Sequence, residues 1–248
     1  MLRTLREKHL LWPSVAMLAG FVALISLGNW QMQRLAWKNH LVAAIGERAH
    51  AAPVSLAVAD EAAQRGEDYE YMRVEATGRF LNDREAHLYA LDATHGPGFY
   101  IITPLKLADG SIVLVNRGFV PNDLKSPNRR PAGQIADEVP IVGLLRAPET
   151  QRMFVPANDP GRNIWYWRDI AAMGAAAATD GAARVHPFFI DAEAEPAPPG
   201  GWPKGGVTRL ELPNRHFEYA LTWYGLAAAL VAVYAAFALG RWRRTDAA

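Results

Sequence analysis

The chain has 248 residues, half of them hydrophobic, with a formal net charge of +1 and no cysteine. A near-neutral balance, with basic residues at the two ends rather than in an aromatic-studded patch, gives no sign of a nucleic-acid partner. The missing cysteines exclude thiol catalysis, disulfides, Cys-type zinc sites and CxxC redox chemistry together.

A mean hydropathy of −0.06 conceals strong segregation. Leu10–Trp30 and Tyr219–Leu239 carry no charged residue. About 20 apolar residues at 1.5 Å each cross a ~30 Å hydrocarbon core. Both runs have Trp or Tyr near their ends, where aromatic rings favour the membrane interface. A buried core helix fits less well, because both runs are apolar around the whole circumference. The first run has a basic start (Arg3, Arg6, Lys8) but is longer than the roughly 7–15-residue apolar core of a signal peptide. An uncleaved anchor is therefore expected, and a bacterial origin with it.

Arg241, Arg243 and Arg244 follow the second run. Positive flanks stay inside, so both termini are expected in the cytoplasm and the residues between the spans outside. The expected plan is a cytoplasmic tail (1–9), a transmembrane helix (10–33), an extracytoplasmic domain (34–213), a second transmembrane helix (214–239) and a cytoplasmic tail (240–248). The class is an α+β membrane protein of the cell inner membrane, with two transmembrane helices flanking a β-rich, mainly antiparallel periplasmic domain.

Within the domain, Gln31–Arg48 keeps helical periodicity and continues the first span. Ser55–Gln64 reads as a short helix capped by Ser55. Tyr71–Phe80 alternates, with Met72, Val74, Ala76 and Phe80 on one face. Further strands are expected at His87–Leu91, Phe99–Leu107, Ile112–Val120, Val139–Leu145, Val185–Ile190 and Val207–Leu212. Asp169–Ala178 reads as a short helix, and residues 193–206 as a Pro/Gly-rich surface loop. Short strands with few helices suggest a curled or barrel-like sheet.

No G-x-S-x-G elbow, P-loop, GxGxxG, HExxH or EF-hand pattern is present. The seven histidines are scattered without a metal-ligand pair. Acidic pairs such as Glu67–Asp68 read as solvated charge. The 126–133 stretch, with Arg129 and Arg130, reads as a solvated turn; contact with lipid head groups or a partner is the other reading. The chain is expected not to be an enzyme.

Two polar–aromatic clusters remain, each where a span meets the outer interface. In the first, Trp30, Gln33, Arg34, Trp37 and Lys38 share a helical face, with Asn29 and Gln31 adding polar groups. In the second, His216, Tyr219 and Trp223 share a face. One reading is an aromatic belt with snorkelling cations. The other is a haem site at the lipid boundary. A neutral imidazole ligates haem iron, Arg34 and Lys38 suit propionates, and the Trp30, Trp37 and Trp223 rings suit the macrocycle. Physical chemistry alone leaves both open. His40 is the next candidate ligand, disfavoured because it lies well above the interface if helical.

Four stretches carry a family resemblance: LGNWQMQRLAWKNHLV (27–42), VLVNRGFVP (113–121), VPANDPGRNIWYWRDI (155–170) and LPNRHFEYALTWYGLA (212–227). Together they resemble the surfeit locus protein 1 family of cytochrome c oxidase assembly factors, with Phe119 where its pattern has Trp. The resemblance implies a part in building haem-A-type oxidases, delivering or stabilising haem a for subunit I. It implies haem binding by His216, with a matching motif at Trp30, Gln31, Arg34, Trp37 and Lys38. Cytochrome c oxidase subunit I, haem A synthase and membrane lipids are the expected partners. A haem-free scaffold holding subunit I is the alternative. Asn116, Arg117 and Gly118 match a motif taken as structural, with Gly118 permitting a tight turn and Arg117 bracing the domain on the membrane.

Overall fold

A computed structural model describes residues 10–178, 184–208, 210 and 214–246. In chain order the elements are α1 (Leu11–His50), β1 (Val54–Ser55), α2 (Leu56–Gln64), β2 (Arg73–Phe80), β3 (Ala86–Asp92), β4 (Gly96–Leu107), β5 (Ile112–Pro121), β6 (Glu138–Arg146), α3 (Ile170–Ala177), β7 (Val185–Ala192) and α4 (His216–Asp246). They divide into two compact units. One joins Met1–Ala44 with Glu211–Ala248; the other is Ile45–Leu210.

The first unit is a pair of helices, both long and apolar enough to cross a membrane by length and composition. The sheltered positions of α1 include Ser14, Met17, Phe21, Leu24, Gly28, Gln31 and Leu35. Those of α4 include His216, Ala220, Trp223, Ala227, Leu230 and Tyr234. Both series step by alternating threes and fours, the seam of two helices in coiled-coil-like contact. The pairing is antiparallel. The Ser14 and Tyr234 hydroxyls hydrogen-bond near one end, and Gln31 meets His216 near the other. Between them small residues bring the backbones close. A Cβ on Gly20 would stand 3.1 Å from Leu230, and one on Gly28 would overlap the Tyr224 ring. Without water to drive apolar association, such close packing and interhelical hydrogen bonds are what join helices in lipid.

The second unit is built on one sheet. Strands β2, β6, β7, β5 and β4 are hydrogen-bonded in that order, and β4 pairs back onto β2 through Leu105–Leu107 and Gly78–Phe80. The sheet thus closes into a five-stranded barrel, with β1 and β3 attached outside the ring. Val74, Phe80, Leu105, Val113, Val115, Phe188 and Ile190 form one core with Leu56 and Ala59 of α2. Ile102, Ile112, Leu114 and Phe189 face a second core, closed by Trp165 and by Met173 and Ala177 of α3. Strand β5 is therefore covered on both sides, which is why it reads as a continuous apolar run rather than an alternating one.

Most expected elements are present within two residues of their predicted ends. The differences have physical causes. Strand β5 pairs with β7 in parallel, as β1 does with β2. Ser55 sits at the N-cap of α2 with extended backbone but makes no side-chain cap; Asp169 does cap α3, accepting from Ala172 N. Val207, Thr208 and Leu210 are not in a strand, and the rest of that expected strand beyond Thr208, at 209 and 211–212, lies outside the described residues. The 193–206 stretch is not a free surface loop. Phe119 N donates to Lys204 O, and Lys204 N to Phe119 O, both at 2.9 Å. Gly118 makes room for that strand-like docking. It lies inside β5 with φ +120, and a Cβ there would overlap the Lys204 carbonyl, so it serves close approach rather than a tight turn.

Two arginines expected at the surface are buried. Arg130 pairs with Glu85, at 2% and 4% side-chain exposure, so it is neither a solvated turn residue nor available to lipid. Arg117 donates to Gly133 O and to Asn82 Oδ1, and stacks on Phe80; it braces the barrel's own 133 turn rather than the membrane. Asn116 and Arg168 both donate to the buried Asp191, at 2.9 Å and 3.1 Å, which ties β5, β7 and the segment before α3 together.

Two outcomes test these contacts. Asn214 Nδ2 donates to Asn39 Oδ1 at 2.8 Å, so Asn39→Cys with Asn214→Cys in this cysteine-free chain is expected to crosslink under mild oxidation. Adding Gly28→Leu should cut the crosslinked yield several-fold; an unchanged yield would show that the seam does not need the glycine. For Glu85, burial opposes ionisation, but hydrogen bonds from His87 and Arg130 outweigh it and hold the carboxyl below its ordinary value. Such a group adds stability above its unfolded pKa and loses it as pH falls through the folded one. Glu85→Ala, which strands a buried Arg130, is expected to cost about 3–5 kcal/mol at neutral pH. It should also flatten the acid limb of a stability-versus-pH curve measured by denaturant unfolding.

Candidate functional site

The site is built where α4 begins. His216 is its first residue, and the ring is half-buried against α1. Its Nδ1 lies 2.7 Å from Gln31 Oε1. A carbonyl oxygen only accepts, so Nδ1 carries the proton and donates. In the neutral ring the lone pair is then on Nε2. A histidine whose other nitrogen is held this way has its tautomer and orientation set, the arrangement usual for metal-binding imidazoles.

Further polar contacts bracket this one. Tyr224 donates to Asn29 Oδ1 at 2.8 Å, and Asn214 donates to Asn39 at the same distance. Asn214 Oδ1 is buried and accepts no hydrogen bond. Asn39, Asn214 and Tyr224 were not among the sequence candidates. Their signal was an excess of amide and phenol groups at span ends, legible for Asn29 and Gln31 but assigned only to the latter.

Of the other expected residues, Trp223 lies on the seam, half-buried, and Lys38 is half-buried two turns beyond Gln31. Arg34 does not reach His216. Its guanidinium carbon stacks 3.9 Å above the Trp37 ring, and among the described residues no carboxylate lies within ion-pair distance of it. Trp30, Trp37 and Tyr219 flank the seam with 54%, 51% and 53% of their surface exposed. The structure thus joins His216 directly to Gln31 and leaves a cation and three aromatic rings open beside the seam. His40 is exposed, about two and a half turns past Gln31 and on the opposite side of α1.

The second unit holds one arrangement with the order of a hydrolase triad. Ser111 Oγ is 3.1 Å from His186 Nε2, and His186 Nδ1 is 2.9 Å from Asp60 Oδ1. All three are buried. The Ser111 hydroxyl donates to Asp109 at 2.6 Å, a bond that heads the causes holding the Asp109 carboxyl below its ordinary value. With its proton committed to a carboxylate and no access from solvent, Ser111 is not set up as a nucleophile. The chain of bonds ties α2 to β5 and β7. Among the described residues no cluster of three or more His, Asp or Glu side chains could hold a metal ion.

Comparison with known proteins identifies the family. A family model described as the SURF1 family matches residues 18–228, which include both halves of the His216–Gln31 contact. Surfeit locus protein 1 of Rattus norvegicus is 40% identical over 218 residues, 82% of this chain and 68% of its own length. The Homo sapiens protein of the same name is 38% identical over 224 residues, 84% and 71%. A SURF1-like protein of Monosiga brevicollis is 38% identical over 232 residues, 88% and 85%. A family match over residues 18–228, with identity at this level over more than four-fifths of the chain, makes the chain a member of the SURF1 family.

Proposed function

We propose that this chain is an assembly factor for haem-A-type cytochrome c oxidase, holding haem a at the outer membrane interface and passing it to subunit I. The observation that carries the reading is the His216–Gln31 hydrogen bond. It leaves Nε2 as the open donor of an imidazole fixed in place, and such a donor can take an axial position on haem iron. Arg34, without a carboxylate partner, suits a propionate. Half-exposed Trp30 and Trp37 suit the faces of an apolar ring system. Tyr219, Trp223 and Lys38 line the same end of the helix pair. Haem is cargo here, and the chain performs no covalent chemistry. In this reading the two apolar helices, long enough to cross a membrane, lie in the inner membrane with both termini cytoplasmic and the barrel periplasmic, and the partners are membrane lipids, subunit I and haem A synthase.

The test is to purify the full chain from a host that makes haem A and read haem per protein by absorbance. The wild type is expected to retain haem, and His216→Ala to retain about ten-fold less while reaching the membrane equally. Gln31→Ala, which frees the ring without removing it, should lower retention by less than the loss of the ring itself, because such a partner orients the ligand without replacing it. A wild type free of haem would falsify the haem reading and leave a haem-free scaffold for subunit I; a His216→Ala variant that holds as much haem as the wild type would remove His216 as the ligand and make His40 the next candidate. Arg34→Glu is expected to lose more haem than Arg34→Lys; equal retention would mean that Arg34 merely snorkels.

A further inference from the structure

Independently of the helix pair, the second unit has a cavity of ≈ 220 Å³ that borders the first core of the barrel. Phe80 of β2 and Val139 and Ile141 of β6 form one wall, and Pro196 and Pro198 of the docked 193–206 stretch form the other. Arg117 reaches this apolar space from β5. Its burial is unusual, because only 6% of it is exposed and, among the described residues, no carboxylate lies within ion-pair distance. Its hydrogen bonds go to two neutral acceptors, Asn82 Oδ1 and Gly133 O. A guanidinium has five N–H donors, so most of this one's capacity is unused.

Neighbouring charge compensates it only in part, through the attraction of Glu85. Glu85 is held by Arg130 and His87. Glu193, on the cavity wall, is bound at both oxygens by Arg73, at 2.6 Å and 3.0 Å. Burial, with the like charge of Arg130 nearby, brings the Arg117 guanidinium down to about 10. Next to Gly133, Gln134 Nε2 is a buried donor without a partner among the described residues, but Gln134 does not line the cavity. A buried cation with no carboxylate in ion-pair contact among the described residues is an arrangement that an anion relieves.

We propose that this cavity binds a small apolar carboxylate, its acid group on Arg117 and its hydrocarbon body between Phe80 and the proline wall. A carboxylate matches the planar fork of a guanidinium, whereas a phosphate calls for more donors than one arginine supplies. The apolar walls then select the body of the ligand, as in most small-molecule pockets.

The experiment is calorimetric titration of the full chain in detergent with 3-phenylpropionate, its neutral amide, and acetate, each against a blank of empty micelles. Saturable binding of 3-phenylpropionate is expected, at least ten-fold tighter than either control. Ala197→Trp fills the exposed mouth of the cavity without touching Arg117 and should abolish that binding while leaving the unfolding temperature within a few degrees. Arg117→Lys should weaken it ten-fold or more; if that variant does not fold, Ala197→Trp decides. Equal binding of acid and amide, no saturable binding of the acid, or undiminished binding by folded Ala197→Trp would each overturn the proposal.

Discussion

The hydrogen bond from His216 to Gln31 joins residues 185 positions apart, and it exists only because two helices are held in register along their whole shared seam. A one-residue slide would move Gln31 by about 1.5 Å along the axis and turn it by about 100° away from the ring. Register is set by Gly28 against Tyr224, Gly20 against Leu230, and the Ser14–Tyr234 hydroxyl pair. These are contacts of shape and hydrogen bonding, the kind that discriminate when apolar surface alone cannot. The site is thus a consequence of helix packing, and small residues far from His216 help to aim it.

The barrel solves a different problem. Its strands β5 and β7 are covered on both faces, so polar groups placed there must find partners inside. Asn116, Arg168 and Thr208 converge on Asp191 for that reason. Arg130 and Glu85 neutralise each other. Arg117 differs: its hydrogen bonds go to neutral acceptors, no carboxylate among the described residues is in ion-pair contact with it, and it lines the apolar cavity. Buried charge of this kind is tolerated at functional sites more readily than in a core built for stability alone.

Much of this was legible locally. Two uncharged runs announced the long helices, and alternation at Val74, Ala76 and Phe80 announced a barrel strand. The His216 and Gln31 positions stood out because polar groups are rare at the ends of apolar spans. What could not be read was non-local. Nothing near Arg130 reveals that Glu85, 45 residues earlier, waits inside the fold, so an arginine between prolines reads as solvent-facing. Gly118 looks like a turn glycine because the Lys204 carbonyl it accommodates comes from a distant loop. The parallel pairing of β5 with β7 depends on how α3 and its preceding segment return the chain, which no local periodicity records.

Gln31 holds His216 with its proton on Nδ1 and its lone pair on Nε2. Nitrogen-15 NMR of the full chain, with label in histidine and His216 assigned by comparison with His216→Ala, reads that tautomer directly. A protonated Nδ1 and an unprotonated Nε2 at neutral pH, reverting to the ordinary mixture in Gln31→Ala, is the expected result. A ring carrying its proton on Nε2, or one indifferent to Gln31→Ala, would contradict it.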